Sequence, residues 1–264
     1  MPTAACRCRL ICKCWRTHRN PDGTSQRTGL PPSLQPDQAL LTERLAAGEW
    51  PPGQALPSET ALAQEYGVSQ GTLRKALNEM EAERLVDRRQ GKGTFAAKHS
   101  AARSLFQFFL LVGENGERQL PESRTLECLA GKADRDERDA LELKVGAPVT
   151  RIIRVRHLRE RPVIYERITV PGELFPDLQC GKDGEVTNTL YDMYEARYGV
   201  TVVRARERLR AVAAGESEAG LLGLPVGSPL LEIHRVAFNI SKHPVELRIS
   251  RCSTAHHYYL SELD

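Results

Sequence analysis

Gln70, Gly71, Thr72, Arg74 and Lys75 follow directly on a helix-capping serine, Ser69, in a chain of 264 residues. Their chemistry is that of reading a nucleic acid. Glutamine matches the paired donor and acceptor of adenine, arginine forks onto guanine, and lysine neutralises phosphate. Gly71 is out of place inside a helix, where glycine costs ~1 kcal/mol relative to alanine. It makes sense where the first turn must come very close to a partner. Further on, Gln90-Gly91-Lys92-Gly93 sets a lysine between two glycines. Glycine tolerates a turn's positive φ, so such a tip can carry its cation up to a phosphate backbone.

These residues need a frame, and the flanking sequence supplies one. Ser58 is a good N-cap, Pro57 closes off the segment before it, and Glu59 suits the positive end of a helix dipole. Leu62 and Tyr66 recur at helical spacing, with Ala61, Ala63 and Val68 filling in, and Gly67 ends that helix. Ser69 then caps a second helix whose buried stripe is Leu73, Leu77 and Met80. Leu85-Val86 and Thr94-Phe95 read as the two strands of a short hairpin with Lys92 at its turn. Helix, turn, helix and hairpin in that order make a winged helix-turn-helix, which lays its second helix in the major groove and its wing on the backbone or minor groove.

Charge qualifies this reading. The whole chain is only +3, and residues 37–99 hold eight Lys/Arg against nine Asp/Glu. DNA affinity must therefore come from placement, with Arg74, Lys75, Arg88, Arg89 and Lys92 on one side. A single domain of this kind binds weakly, so a homodimer reading two half-sites of double-stranded DNA is the expected working form.

Composition sets the outer bounds. A 27% charged and 41% hydrophobic chain of this length fits two folded domains. The longest apolar run, Phe108-Phe109-Leu110-Leu111-Val112, is strand-length, far short of the ~18 residues of a membrane span. No signal-peptide core is present, so a cytoplasmic location with reduced cysteines is expected and no membrane partner. Residues 1–36 carry six Lys/Arg and one acid, without hydrophobic period. They read as a disordered basic arm or as a start codon assigned too far upstream. Cys6, Cys8, Cys12 and Cys14 are spaced more tightly than structural zinc ligands. Cys252, His256 and His257 fare no better, because adjacent histidines in a strand point to opposite faces. No metal and no cofactor are expected. The chain also lacks a Gly-x-Ser-x-Gly elbow and any placed acid–base pair, so no catalytic residue is assigned.

Residues 98–104 look like a linker, and from Leu105 to residue 264 the texture turns to β. Leu105–Val112, Thr150–Leu158, Pro162–Val170, Val200–Val212, Pro229–Phe238 and Pro244–Ser253 read as strands, and Arg135–Leu143, Thr187–Tyr198 and Ser217–Leu222 as short helices. Arg204, Arg206, Arg208 and Arg210 recur at period two and so share one face. Hairpin-like connections imply a mostly antiparallel sheet, hence an α+β fold behind a winged helix-turn-helix over 37–97.

Residues 40–95 resemble the DNA-binding domain of GntR-type bacterial transcription regulators. Gly48, Pro52-Gly53, Leu56-Pro57-Ser58-Glu59, Leu62-Ala63, Gly67-Val68-Ser69, Thr72 to Leu77 and Gly91 to Phe95 carry the match. The resemblance implies DNA contacts at Thr60, Gln70, Gly71, Thr72, Arg74, Gln90, Gly91 and Lys92, beside Ser69 and Lys75. At Gln70 many members have arginine, and Thr60 is basic in some, so no relative's operator can be borrowed. Residues from about 105 to 260 resemble the UTRA effector-binding domain of the HutC subfamily, with its chorismate-lyase-like fold. Arg154-Val155-Arg156, the strand from Pro162 through Glu166 to Pro171, Leu174-Phe175-Pro176, Thr189-Leu190-Tyr191, Gly223-Leu224-Pro225 and Pro244-Val245-Glu246 carry that match. It implies a small metabolite held at Arg154, Arg156, Glu166, Thr189, Tyr191 and Glu246. Arginine forks suit phosphate or carboxylate, so a sugar phosphate, organic acid or amino acid is the implied ligand class. Arg154 and Glu166 read equally well as a cross-strand ion pair. The expectation is a ligand-responsive transcription regulator, a repressor in the form this resemblance implies. The competing readings are an enzyme of chorismate-lyase-like fold with a DNA-binding head, and an architectural DNA binder without effector.

Overall fold

The computed structural model describes residues 36–98, 108–178 and 189–262. The arm over 1–36, with its four closely spaced cysteines, and the linker over 98–104 lie outside these residues except at Pro36 and Lys98.

The head comprises helices α1 (Pro36–Ala46), α2 (Glu59–Tyr66) and α3 (Gln70–Ala82), then strands β1 (Val86–Arg89) and β2 (Gly93–Ala96). Both expected caps are made. Ser58 Oγ accepts from Ala61 N at 3.2 Å and Ser69 Oγ from Thr72 N at 3.1 Å. Gly67 sits at φ 66° between the two helices, a left-handed conformation that glycine enters without steric cost. Leu62, Leu73, Leu77 and Met80 are fully buried with Leu41 and Trp50 beside them. Each such side chain contributes roughly 1.5–3 kcal/mol, enough to hold the α2–α3 angle. β1 and β2 pair antiparallel from Val86↔Ala96 to Arg89↔Gly93. Residues before α2 reinforce this wing: Leu56 N donates to Thr94 O at 2.8 Å and Ala96 N to Gln54 O at 2.8 Å.

The body is a six-stranded antiparallel sheet in the order β4-β5-β6-β9-β8-β7. Its strands are β4 (Glu122–Lys132), β5 (Pro148–Leu158), β6 (Arg161–Pro171), β7 (Val202–Ala213), β8 (Pro229–Asn239) and β9 (Pro244–Ser253). Helix α4 (Arg135–Leu141) links β4 to β5, α5 (Leu190–Tyr198) lies between β6 and β7, and α6 (Glu216–Leu222) links β7 to β8. The chain thus builds a strand–helix–strand–strand unit twice and joins the two at β6–β9, from Ile164↔Cys252 to Thr169↔Leu247. Gly146 (φ 79°) and Gly227 (φ 85°) sit at matching turns two residues ahead of Pro148 and Pro229, the first residues of β5 and β8.

The sheet faces differ. One packs α4 through Leu141, Val236 and Leu247 and α6 through Ala219, Leu222 and Leu230. The other packs Tyr191 and Tyr194 of α5 against Ile152 and Ile168, and is further covered by a two-stranded ribbon of β3 (Leu111–Gly113) and β10 (His257–Tyr259).

Three sequence expectations need correction. Of the Leu105–Val112 strand, residues 105–107 lie outside the described residues; from Phe108 on, pairing begins only at Leu111, because β10 offers three partners and the Phe108 carbonyl turns away to Arg235. Strand β4 was not foreseen. It is an edge strand with both faces partly open, so its sequence lacks clean alternation. The helix read as Thr187–Tyr198 starts at Leu190, with Thr189 as its N-cap.

Candidate functional site

On the head, every candidate DNA residue lies on the α2–α3 entry or the wing tip. Thr60, Ser69, Gln70, Gly71, Arg74, Lys75, Gln90, Gly91 and Lys92 are exposed and Thr72 is half-buried. Gln70 Nε2 donates to Thr60 Oγ1 at 3.0 Å, locking the first residues of α2 and α3 together. Ser69 and Thr72 hydroxyls meet at 2.9 Å. Arg74 Nε donates to Glu59 Oε2 at 3.0 Å, and the same carboxylate pairs with Arg88 from β1, which also bonds Asn78. Glu59 therefore holds two guanidiniums at the junction of helix and wing. Sequence reasoning had assigned Glu59 only to the helix dipole; its spacing from Arg88, across 29 residues, carried no local signal. At the tip, Gly91 (φ 70°) and Gly93 (φ 105°) take conformations closed to most side chains, and Lys92 N donates to Arg89 O at 2.9 Å. The Arg89 guanidinium lies 4.3 Å over the Phe95 ring. A Cβ added at Gly71 would approach nothing nearer than Ser69 Oγ at 3.7 Å.

On the body, the α5 face carries a buried polar cluster. Arg154 and Glu166 are register partners on β5 and β6, 1% and 3% exposed, with Arg154 Nε donating to Glu166 Oε2 at 2.5 Å. The cross-strand pair is thus real. Glu166 Oε1 also accepts from Ser250 Oγ at 3.1 Å and lies 3.7 Å from both Arg156 and Arg248. Arg248 grips Glu246 with two hydrogen bonds, 2.9 and 2.8 Å, and Glu246 takes the phenols of Tyr191 (3.1 Å) and Tyr194 (2.8 Å). Arg235, opposite Arg248 on β8, donates to Glu207 Oε1 at 2.5 Å and to the Phe108 carbonyl. The Arg156 guanidinium stacks 4.9 Å from the Phe109 ring.

Four buried guanidiniums, those of Arg154, Arg156, Arg235 and Arg248, thus share three carboxylates, those of Glu166, Glu207 and Glu246. Among the described residues, Arg154 Nη1 and Arg156 Nε are buried without a hydrogen-bond partner. Burial and the neighbouring guanidiniums of Arg154, Arg248 and Arg235, opposed by Glu166, pull Arg156 down to about 9. Burial alone would raise Glu166, but Arg154, Arg248 and Arg156 outweigh it and hold its carboxyl well below the usual range. Burial and Glu246 push Tyr191 up to about 12. A void of only about 20 Å³ remains, lined by Arg156, Glu166, Arg235, Arg248 and Ser250 and roofed by Phe108–Leu111. Of the six residues the sequence suggested, Arg156 and Glu166 line this void. Arg154, Tyr191 and Glu246 stand around it, and Thr189 is the N-cap of α5. Arg235, Arg248, Ser250 and Glu207 were missed. Glu246, Arg248 and Ser250 alternate along β9, a period-two signal that would have found two of them.

A winged helix joined to an antiparallel sheet with a buried, cation-rich cluster defines a DNA-binding regulator with a sensor domain. The family models agree: residues 38–96 match the gntR family of bacterial regulatory proteins and residues 117–257 match the UTRA domain. The chain belongs to the GntR family of transcription regulators, in its UTRA-bearing, HutC-like branch. It is 30% identical over 201 residues to the HTH-type transcriptional repressor NagR of Bacillus subtilis, covering 75% of this chain and 81% of the relative. It is 28% identical over 193 residues to the mannosyl-D-glycerate transport/metabolism system repressor MngR of Escherichia coli, 73% and 79%. Among solved structures, a GntR-family ligand-binding domain from Bordetella bronchiseptica matches at 33% identity and TM-score 0.56, over 59% of this chain and 96% of that one. PhnF from Mycobacterium smegmatis shares the fold at 23% identity and TM-score 0.51, over 86% and 98%. GntR regulators bind DNA and UTRA domains bind small-molecule effectors. Among the described residues no helix is long and apolar enough to cross a membrane, and no metal-holding group of side chains occurs.

Proposed function

We propose that this chain is a dimeric transcriptional repressor released from its operator by a small anionic metabolite bound at the Arg154–Arg156–Glu166 cluster. The surplus of buried guanidinium over carboxylate among the described residues carries this reading, with Arg156 Nε left there without an acceptor. An unmet buried N–H costs ~1–3 kcal/mol, which an anion's oxygen would recover. The repressor names borne by NagR and MngR support the sign of regulation.

The geometry also supports a route from ligand to DNA. A void of about 20 Å³ is too small for a metabolite, since ligand pockets run to roughly 300–1,000 Å³. Phe108–Leu111 fills the place a ligand would take. The Phe108 carbonyl accepts from Arg235 and the Phe109 ring covers Arg156. An anion competing for those guanidiniums displaces this strap, the first described segment after the head. Arg154, tied closely to Glu166, serves as frame; Arg156, Arg235 and Arg248 receive the ligand.

The test starts with operator DNA selected from a random pool by the full-length protein. Gel shifts are then run with a panel of sugar phosphates, organic acids and amino acids. One class should weaken operator binding by roughly 5–150-fold, the range of a 1–3 kcal/mol coupling. Arg156→Ala should abolish that response while DNA binding without ligand stays near normal. A folded Arg156→Ala protein that responds fully would place the site elsewhere.

A further inference from the structure

A ligand-sized cavity lies between the end of α3 and β7, apart from the void in the buried polar cluster. Its volume is about 690 Å³, within the roughly 300–1,000 Å³ of small-molecule sites. One wall is Ala82 to Leu85, the end of α3 and the residues leading to β1. Facing it are Val203 to Glu207 of β7, with Phe238 to Ile240 and Lys242 at the end of β8 and the turn beyond. Phe108 and Leu110 of the strap complete the lining. The two walls are joined at one margin. Val203 and Ile240 pack onto the apolar core of the head, and Lys242 Nζ lies 3.9 Å from Glu83 Oε1.

The lining is apolar and cationic at once. Arg84, Arg204, Arg206, Arg235 and Lys242 stand against two carboxylates, Glu83 and Glu207. Both carboxylates are already engaged, Glu83 by Lys242 and Glu207 by Arg235 and the Tyr259 phenol. The Arg206 guanidinium lies 5.4 Å from the Phe238 ring. Among the described residues, the guanidiniums of Arg84 and Arg204 have no carboxylate partner. The backbone at Arg84 adds a second observation. It sits just past α3 at φ 60°, a left-handed conformation that a glycine usually takes at this place. An arginine there carries backbone strain, of the kind that gathers at ligand clamps and switch regions. The helix dipole accounts for a cation at Arg84, but not for Arg204 across the cavity.

We propose that this cavity is a second ligand site, for a small amphipathic anion: an apolar body bearing one carboxylate or phosphate. Arg84 and Arg204 take the anion by charge-assisted hydrogen bonds. Leu85, Leu110, Val203 and Ile240 take the apolar body. A ligand seated here touches the end of α3 and the sheet domain together. It therefore favours whichever placement of the head keeps both walls in reach, which links it to DNA binding. The inference stands on this lining alone and does not depend on the ligand proposed for the buried cluster.

The probe is anilinonaphthalene sulfonate, an aromatic anion whose fluorescence rises in apolar surroundings, titrated into the full chain. Saturable binding of one probe per chain is expected. Arg84→Ala/Arg204→Ala should weaken it at least about tenfold, as the loss of a hydrogen bond to a charged group does, with circular dichroism unchanged. Arg84→Lys/Arg204→Lys should keep most of the affinity. N-phenylnaphthylamine, which lacks the sulfonate, should bind the wild type no better than it binds the double alanine variant, a comparison that isolates the charge. Aryl and alkyl carboxylates and phosphate monoesters should then displace the probe. Uptake that does not saturate, or full affinity in the folded double alanine variant, would overturn the site. Probe binding lost in Arg156→Ala but kept in the double variant would also overturn it, by seating the probe in the buried cluster. A panel in which no acid displaces the probe would leave a dye-binding surface only. None of these results bears on the repressor reading, which is tested with operator DNA.

Discussion

At the scale of single residues, Lys92 offers the cleanest test of the head. Its neighbours Gly91 and Gly93 hold the tip in backbone conformations that leave the ammonium exposed. Lys92→Ala should weaken specific and non-specific DNA alike and lower the salt slope of binding by about one unit, as expected for one lost phosphate contact. An unchanged slope in salt titrations would show that the wing lysine touches no phosphate. In the body, Glu166 makes a pH-dependent contribution whose sign can be worked out. Its carboxyl ionises more readily in the folded protein than its ordinary 4.5, so the stability it adds is present above that value and drains away as pH falls toward the depressed folded one. Glu166→Gln leaves Arg154 and its neighbours buried without their shared anion, at a cost of ~3–5 kcal/mol. Measured by denaturant melts, the deficit should be full at pH 7 and shrink steadily below about pH 4.5. A deficit that is constant with pH would mean that Glu166 is not ionised in the fold.

At the scale of elements, the strap before β3 is the piece on which the proposed switch turns. Phe109→Ala removes the ring from Arg156 and loosens the roof of the void. Effector should then bind several-fold more tightly by calorimetry, because less contact must be broken to admit it. Weaker binding would make Phe109 part of the ligand site rather than its cover. What the sequence disclosed at this scale follows the range of the forces involved. The capped helices α2 and α3 and the wing were legible because Ser58, Gly67, Ser69 and Gly91-Lys92-Gly93 act on their immediate neighbours. β5, β6, β8 and β9 were legible from apolar and β-branched runs. β4 was not, since an edge strand need not alternate. The buried polar cluster was half legible. Arg154 and Glu166 belong to one hairpin, whereas Arg235, Arg248 and Ser250 reach them only through the β6–β9 join, some 84 residues apart in the chain. Glu59, which organises Arg74 and Arg88, escaped for the same reason.

At the scale of the molecule, the proposed function links ligand and operator by a single coupling free energy. Whatever factor the effector takes from DNA affinity, saturating operator must take from effector affinity. Calorimetry of effector binding with and without operator duplex should return the gel-shift factor. Two unequal factors would show that another equilibrium, such as assembly, intervenes. The duplicated strand–helix–strand–strand unit gives this coupling a compact setting. Arg154–Glu166 and Arg235–Arg248 occupy corresponding rungs of the two units, so the cluster straddles their junction.

Gly71 carries one more consequence. The protein alone has room for a methyl group there, with Ser69 Oγ no nearer than 3.7 Å, and an alanine in the first turn of α3 would favour the helix by up to ~1 kcal/mol. On the proposed interface the same methyl group would stand between α3 and the floor of the major groove. Gly71→Ala should therefore give a protein that melts several degrees higher and reads its operator worse. Thermal robustness and recognition are exchanged at this one position, so a screen for heat resistance alone would select a regulator that no longer regulates.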